Sequence, residues 1–228
     1  MLQLKMQSRK MKTDFVVIPA YNEGKRIGPV LKEVLAINKN VIVVDDGSRD
    51  STEKEVLKHK VFFLKHIINM GKGAALKTGV DYALKQGAKR IVVMDSDGQH
   101  QASEIPKFFA ALEKNDIVFG YRVARKNMPA VLRFGNWFIN FITYVMYGLK
   151  LKDTQSGYRA FTNTAYRKVR WDAQDYSMES EMIANAGKHK LKYTEIPIAT
   201  IYGNKYKGTT VIDGIKIVLR MVWWRLSR

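Results

Sequence analysis

The sequence predicts an α/β fold built on a mostly parallel sheet with helices on both faces. Two observations carry that prediction. Through the first half of the chain, short apolar and β-branched runs alternate with segments of helical period, the pattern of repeating strand–helix units. Polar, acidic clusters directly follow three of those runs. They therefore fall at one edge of such a sheet, beyond the carboxyl ends of its strands, where ligands gather.

Taken in order, 15–19 reads as a first buried strand because it is a continuous apolar run. A helix follows, with Ile27, Val30, Leu31, Val34 and Leu35 on one face. Residues 41–44 form a second strand, 50–58 a short helix and 61–64 a third strand. The segment 73–86 is helical with Leu76, Val80, Ala83 and Leu84 inward, and 91–94 is the fourth strand. Ile105, Phe108, Phe109 and Leu112 mark another helix, and 116–119 a fifth strand.

The second half has a different texture. Residues 134–149 carry no charge and are rich in aromatics, yet the run is shorter than the ~20 residues a membrane-spanning helix needs. A helix at a membrane interface and a core or dimer helix both fit it. From Val211 the chain is amphipathic, with Ile215, Leu219, Val222 and Leu226 opposite Asp213, Lys216 and Arg220. Trp223 and Trp224 beside Arg225 and Arg228 suit a helix lying among lipid headgroups. No repeat or linker divides the chain, so the expected organisation is a basic tail over 1–12 and a single domain over 13–228.

Composition narrows the function. With 39 Lys and Arg against 21 Asp and Glu, the 228-residue chain has a formal net charge of +18. That balance favours nucleic acid, an anionic membrane or phosphate-bearing substrates. The basic residues are dispersed, and no zinc-finger, RNA-recognition or basic-zipper pattern appears, so nucleic acid is not an expected partner. There is no cysteine and hence no disulfide or thiolate ligand. The basic start runs into Asp14 and a strand rather than a signal peptide's apolar core.

The three edge clusters are Tyr21-Asn22-Glu23, Asp45-Asp46-Gly47-Ser48 and Asp95-Ser96-Asp97. Each alone reads as a helix cap or turn; three at one edge read as a shared site. Asp95 and Asp97, two apart on extended chain, point the same way. Paired carboxylates suit a hard divalent cation that keeps places for phosphate oxygens and water. Gly71-Lys72-Gly73 lacks the spacing of the nucleotide-triphosphatase loop and follows the third strand, so a tight turn into a helix accounts for it.

With these motifs in hand, the sequence resembles glycosyltransferase family 2, and within it the dolichyl-phosphate mannose and glucose synthases. The likeness rests on Ile18-Pro19-Ala20-Tyr21-Asn22-Glu23, on the string from Val43 to Thr52, and on Asn69-Met70-Gly71-Lys72-Gly73-Ala74-Ala75. It continues through Asp95-Ser96-Asp97-Gly98-Gln99-His100 and Asp153-Thr154-Gln155-Ser156-Gly157-Tyr158-Arg159-Ala160-Phe161. The resemblance implies a GT-A fold, a nucleotide-sugar donor and magnesium or manganese as cofactor. It places Pro19, Ala20, Tyr21, Glu23, Asp46, Lys72, Asp95 and Ser96 at the donor nucleotide, and Asp95, Asp97 and Gln99 at the metal. Glu23 also fits a first-turn carboxylate favoured by the helix dipole.

Arg122 and Arg133 match the family's holders of the acceptor phosphate and, with Asp97, form the expected catalytic set. A polyprenyl or dolichyl phosphate acceptor needs no general base, because its second pKa is ~6. A hydroxyl acceptor on a saccharide or protein would need one, with Glu179 and Glu181 as candidates. A non-enzymatic basic module explains the charge but not the aspartate pairs. Ser156, Glu181 and Lys205 are further candidates for sugar or phosphate contacts. The family's mannose synthases carry Arg-x-x-Gly-x-Ser-Lys late in the domain. The corresponding Tyr202-Gly203-Asn204-Lys205-Tyr206-Lys207 lacks that arginine and serine, which leaves UDP-glucose and UDP-N-acetylglucosamine open beside GDP-mannose. The resemblance further implies a place at the cytoplasmic face of a membrane, held peripherally or through a membrane-anchoring partner subunit.

Overall fold

The computed structural model describes residues 13–123, 130–175, 177–199 and Trp223, with the side chains of 130–134 and 136 excluded. The basic tail, Lys205 with its neighbouring string and the C-terminal amphipathic segment apart from Trp223 lie outside the described residues. So does the side chain of Arg133.

The five expected strands are present as β1 (Asp14–Ala20), β2 (Val41–Asp45), β3 (Phe62–Lys65), β4 (Arg90–Val93) and β5 (Ile117–Arg122). Two more complete a seven-stranded sheet, β6 (Arg159–Thr162) and β7 (Tyr193–Ile198), in the order β3-β2-β1-β4-β6-β5-β7. Among the described residues only β6 runs against its neighbours; every other pairing there is parallel. Because β6 opposes both β4 and β5, those two strands point the same way and end at the same edge.

Alternation along β1 shows how the layers form. Phe15 and Val17 join Ile42, Val44 and the helix α3 (Lys72–Lys85) in one core. Val16, Ile18 and Ala20 join Val41, Val43 and the helices α1 (Ile27–Ile37) and α4 (Ile105–Ala111) in the other. A sheet buried on both faces explains why its strands read as continuous apolar runs.

Some boundaries differ from the sequence reading for identifiable reasons. The helix expected over 50–58 is only α2 (Thr52–Val56). Asp50 stays outside it because its carboxylate accepts the N–H groups of Thr52 (2.9 Å) and Gly24 (3.0 Å). Strand β5 runs three residues beyond Phe119, paired with β7 as far as Arg122 opposite Ile198. The aromatic segment belongs to α5 (Ala130–Tyr147), whose exposed side includes Trp137, Phe138, Phe141, Tyr144 and Val145. Among the described residues no helix is long and apolar enough to cross a membrane. The helices α6 (Asn163–Val169) and α7 (Met178–Lys188) close the face that α3 covers.

Candidate active site

The first part of the sheet edge is laced by side chains that capture backbone groups. Pro19 and Ala20 pair with Val44 and Asp45 across β1 and β2. Tyr21 is exposed just beyond. Asn22 accepts the Arg49 N–H, and Ser48 Oγ accepts the Asn22 N–H, both at 2.9 Å. Glu23 is buried, pairs with Arg26 and sends its own N–H to Thr52 Oγ1.

Asp46 holds the loop that leads into α3. Its Oδ1 meets His66 Nδ1 at 2.7 Å and accepts the Met70 N–H at 2.9 Å, while Oδ2 accepts the Gly71 N–H at 2.8 Å. The N–H groups of Gly73 and Ala74 go to the Gln174 carbonyl at 2.7 and 3.3 Å. The glycine-rich start of α3 is thus a packed turn whose Gly71, Gly73 and Ala74 N–H groups are taken within the protein. Gly71 sits at φ +96, and a Cβ there would stand 2.4 Å from Gln174 O, so no other residue fits the backbone.

This packing delivers Lys72 to the end of β4. Its Nζ lies 2.7 Å from Asp95 Oδ1 and 2.9 Å from Glu179 Oε1 of α7. Burial alone would lower the Lys72 pKa, but the two carboxylates carry it above the ordinary lysine value. Burial likewise pushes Asp95 up, yet the Lys72 ammonium outweighs it and holds Asp95 below the usual carboxylate range. Gly157 makes room for the pair, since a Cβ there would meet Lys72 Nζ at 2.8 Å and Asp95 Oδ2 at 2.9 Å. Ser96 is buried, and Asp97 Oδ1 accepts the Gln99 N–H at 3.0 Å. Burial depresses the pKa of His100, whose Nδ1 accepts the Asp95 N–H at 3.2 Å.

Arg122 stands at the end of β5. Registers Val93↔Arg159 and Phe119↔Arg159 make β4 and β5 level, and two strand spacings separate them by about 10 Å. Its guanidinium forms a fork on buried Asp153, Nε to Oδ2 at 2.7 Å and Nη2 to Oδ1 at 3.0 Å. Asn140 of α5 ties the same loop down, donating to Lys152 O at 2.8 Å and accepting from Thr154 Oγ1 at 2.8 Å.

Arg159 is buried within β6 and donates to Ser156 O (2.9 Å), Thr154 O (2.8 Å) and Glu179 O (2.6 Å). Burial lowers its pKa to about 10, so it remains a cation at neutral pH. Ser156 is buried inside this loop. Glu181 Oε2 accepts the N–H groups of Asp172 (3.1 Å) and Ala173 (2.9 Å). Glu181, Gly71 and Trp223 are among the walls of a cavity of about 630 Å³ beside the start of α3, a size that suits a small-molecule ligand.

Of the predicted set, Lys72, Asp95, Asp97 and Arg122 converge on one stretch of edge, with Pro19, Ala20, Tyr21, Glu23 and Asp46 along the adjoining strands. Sequence reasoning missed Asp153 and Asn140, and the structural use of Arg159. Asp153 opens a motif read for its family likeness, with Ser156 alone singled out, and a charged residue two positions after Leu151 was the available signal. Among the described residues, no three His, Asp or Glu side chains converge as a ready metal cage. Asp95 and Asp97 nevertheless fit a divalent cation: they are hard oxygen donors, and Asp95 already holds the Lys72 ammonium. They leave coordination positions for a diphosphate and water, as magnesium prefers.

The comparisons extend this picture. The family model of glycosyl transferase family 2 matches residues 15–170. An uncharacterized protein of Methanocaldococcus jannaschii is 42% identical over 93% of this chain and 92% of its own length. The UDP-N-acetylglucosamine–dolichyl-phosphate N-acetylglucosaminyltransferase of Methanococcus voltae is 35% identical over 94% of this chain and 96% of its own. Glucosyl-3-phosphoglycerate synthase from Mycobacterium tuberculosis, crystallised with Mg²⁺ and UDP, superposes with a TM-score of 0.75 at 17% identity, covering 94% of this chain and 79% of that one.

Proposed function

Because the chain belongs to glycosyl transferase family 2, we propose that it moves N-acetylglucosamine from UDP-N-acetylglucosamine to a polyprenyl phosphate of the dolichyl type at a membrane surface, with inversion and with a divalent cation. The observation that carries the proposal is the facing of two unlike charges at one edge: the carboxylates after β4 and the guanidinium at the end of β5. A nucleotide diphosphate tethered through a cation at the first and a phosphate seated at the second stand within one sugar's reach. The full-length likeness to the Methanococcus voltae transferase supports both the acceptor and the amino sugar. The lack of the mannose-type string at 202–207 speaks against GDP-mannose as the donor.

Asp95 and Asp97 would hold magnesium or manganese, which supplies positive charge for the oxygens of the departing diphosphate. Arg122 orients the acceptor phosphate, and its fork on Asp153 fixes the plane of the guanidinium. The acceptor's second pKa is ~6, so at neutral pH it arrives as a dianion. One of its oxygens forms the bond to the anomeric carbon as the bond to UDP breaks, and no proton is transferred. Glu181 is occupied with two backbone N–H groups and Glu179 with Lys72, an arrangement of positioning groups rather than of a base. The exposed aromatic side of α5 would meet the lipid surface and bring the acceptor headgroup towards Arg122.

The test is transfer of radiolabelled sugar to a short polyprenyl phosphate with Mg²⁺ or Mn²⁺, comparing UDP-N-acetylglucosamine, UDP-glucose and GDP-mannose. The expected result is a β-linked lipid phosphosugar, release of UDP and preference for the first donor. Release of UMP instead, or no transfer from any donor by folded protein, would overturn the reading.

A further inference from the structure

We infer that Lys72 is a resident counter-ion which shuttles between Asp95 and Glu179, so that the cation and the nucleotide enter the site as a unit. The inference rests on the reading above that Asp95 and Asp97 take the cation. Three observations point to it. The Lys72 ammonium lies on Asp95 at 2.7 Å, the carboxylate a cation would need. The same ammonium touches Glu179 Oε1 at 2.9 Å, so leaving Asp95 does not strand it. Glu179 is 4% exposed, and its second oxygen, Oε2, has no hydrogen-bond partner.

An unpartnered buried carboxylate oxygen carries a desolvation cost that a donor would remove. An ammonium has three donors on a flexible stem and can swing to it. Two seats for one ammonium follow: one bridging Asp95 and Glu179, and one wholly on Glu179. In the first seat Lys72 competes with a metal ion for Asp95, and a bare cation binds weakly. When a diphosphate arrives with the cation, its negative charge supplies the remaining ligands and tips the exchange. Lys72 then sits beside newly delivered phosphate oxygens. Glu179 is therefore a positioning residue, acting through Lys72.

Titration of Mn²⁺ into the nucleotide-free protein, followed by the paramagnetic resonance of free Mn²⁺, tests this. Lys72→Met is expected to bind Mn²⁺ about tenfold more tightly than the unaltered protein, and the enhancement of Mn²⁺ affinity by UDP is expected to shrink by a similar factor. Glu179→Gln removes the second seat, leaves the ammonium on Asp95 and is expected to weaken Mn²⁺ binding. A purely structural role for either residue moves both variants in the same direction. If Lys72→Met does not fold, the opposite shift in Glu179→Gln still decides the matter. Unchanged or strengthened Mn²⁺ binding in Glu179→Gln, or unchanged binding in folded Lys72→Met, overturns the shuttle and leaves the metal site standing. Absence of Mn²⁺ binding even with UDP overturns the shuttle and the metal site together.

Discussion

The two stretches of the sheet's carboxyl edge are closed by different forces. After β1 and β2, carboxylates mostly capture backbone N–H groups: Asp45 takes Ser48, Asp46 takes Met70 and Gly71, and Asp50 takes Gly24 and Thr52. After β4 and β5 the closures are between full charges, Lys72 with Asp95 and Glu179, and Arg122 with Asp153. The contrast teaches where the molecule is set in advance and where it is exchangeable. A turn held by its own backbone has nothing to trade with a ligand. An ion pair has partners of the very kinds that a cation, a diphosphate and a lipid phosphate offer. The first stretch is a preformed shelf; in the second, Lys72 is poised to exchange partners on binding, while Arg122 stays forked on buried Asp153.

Arg159 tests the rigid backing of the second stretch and carries the largest expected effect. Arg159→Met leaves three carbonyl oxygens without their donors, and the expected loss of stability is about 3–5 kcal/mol. Urea unfolding monitored by tryptophan fluorescence measures it. A loss under about 1 kcal/mol would mean that the charged stretch needs no fixed backing, and the contrast with the shelf would fail.

Asp97→Asn comes next and acts on chemistry alone. The hydrogen bond described for Asp97 is to the Gln99 N–H, which an amide oxygen also accepts. Stability should be unchanged while sugar transfer falls about a hundredfold or more, the scale of losing charge stabilisation at a reacting diphosphate. Parallel melting curves and initial rates separate the two. Arg122→Lys keeps the charge but loses the fork on Asp153. It is expected to raise the KM for lipid phosphate about tenfold with UDP affinity unaltered. An equal fall in UDP affinity would show that the two charges do not serve separate ligands.

The shelf was legible in the sequence and the exchangeable stretch only partly so. Strands β1, β2 and β4 are built on unbroken apolar runs, bounded by Asp14, Asp45 and Arg90, and the acidic clusters after them are local. Strand β6 carries buried Arg159 within its four residues, and β7 mixes half-buried positions with Pro197, so neither shows a strand's period. In α7, Glu179, Ser180 and Glu181 are all buried, which erases the amphipathic stripe that betrays a helix. The residues Lys72, Asp95 and Glu179 were each visible, but their meeting depends on how α3 and α7 pack over one face. Hydrophobic periodicity reports which way a residue faces, not which distant residue it will face.

Asn140 gives the smallest effect and the finest test of how the second stretch is tied to its surroundings. Its side chain anchors Lys152 and Thr154, the neighbours of Asp153 on either side. Through Asp153 it connects α5, whose neighbouring positions expose Trp137, Phe141 and Tyr144, to Arg122. Asn140→Ala is expected to cost about 1 kcal/mol of stability. The guanidinium keeps its carboxylate but loses its fixed relation to the helix. With the acceptor dispersed in vesicles, its KM should then rise about threefold, while UDP affinity and kcat at saturating lipid stay as they were. A short acceptor in free solution should show no such change, because it does not depend on α5 for delivery. If both acceptors lose equally, Asn140 merely shapes the Arg122 pocket, and the coupling of the aromatic helix to the charged edge is wrong.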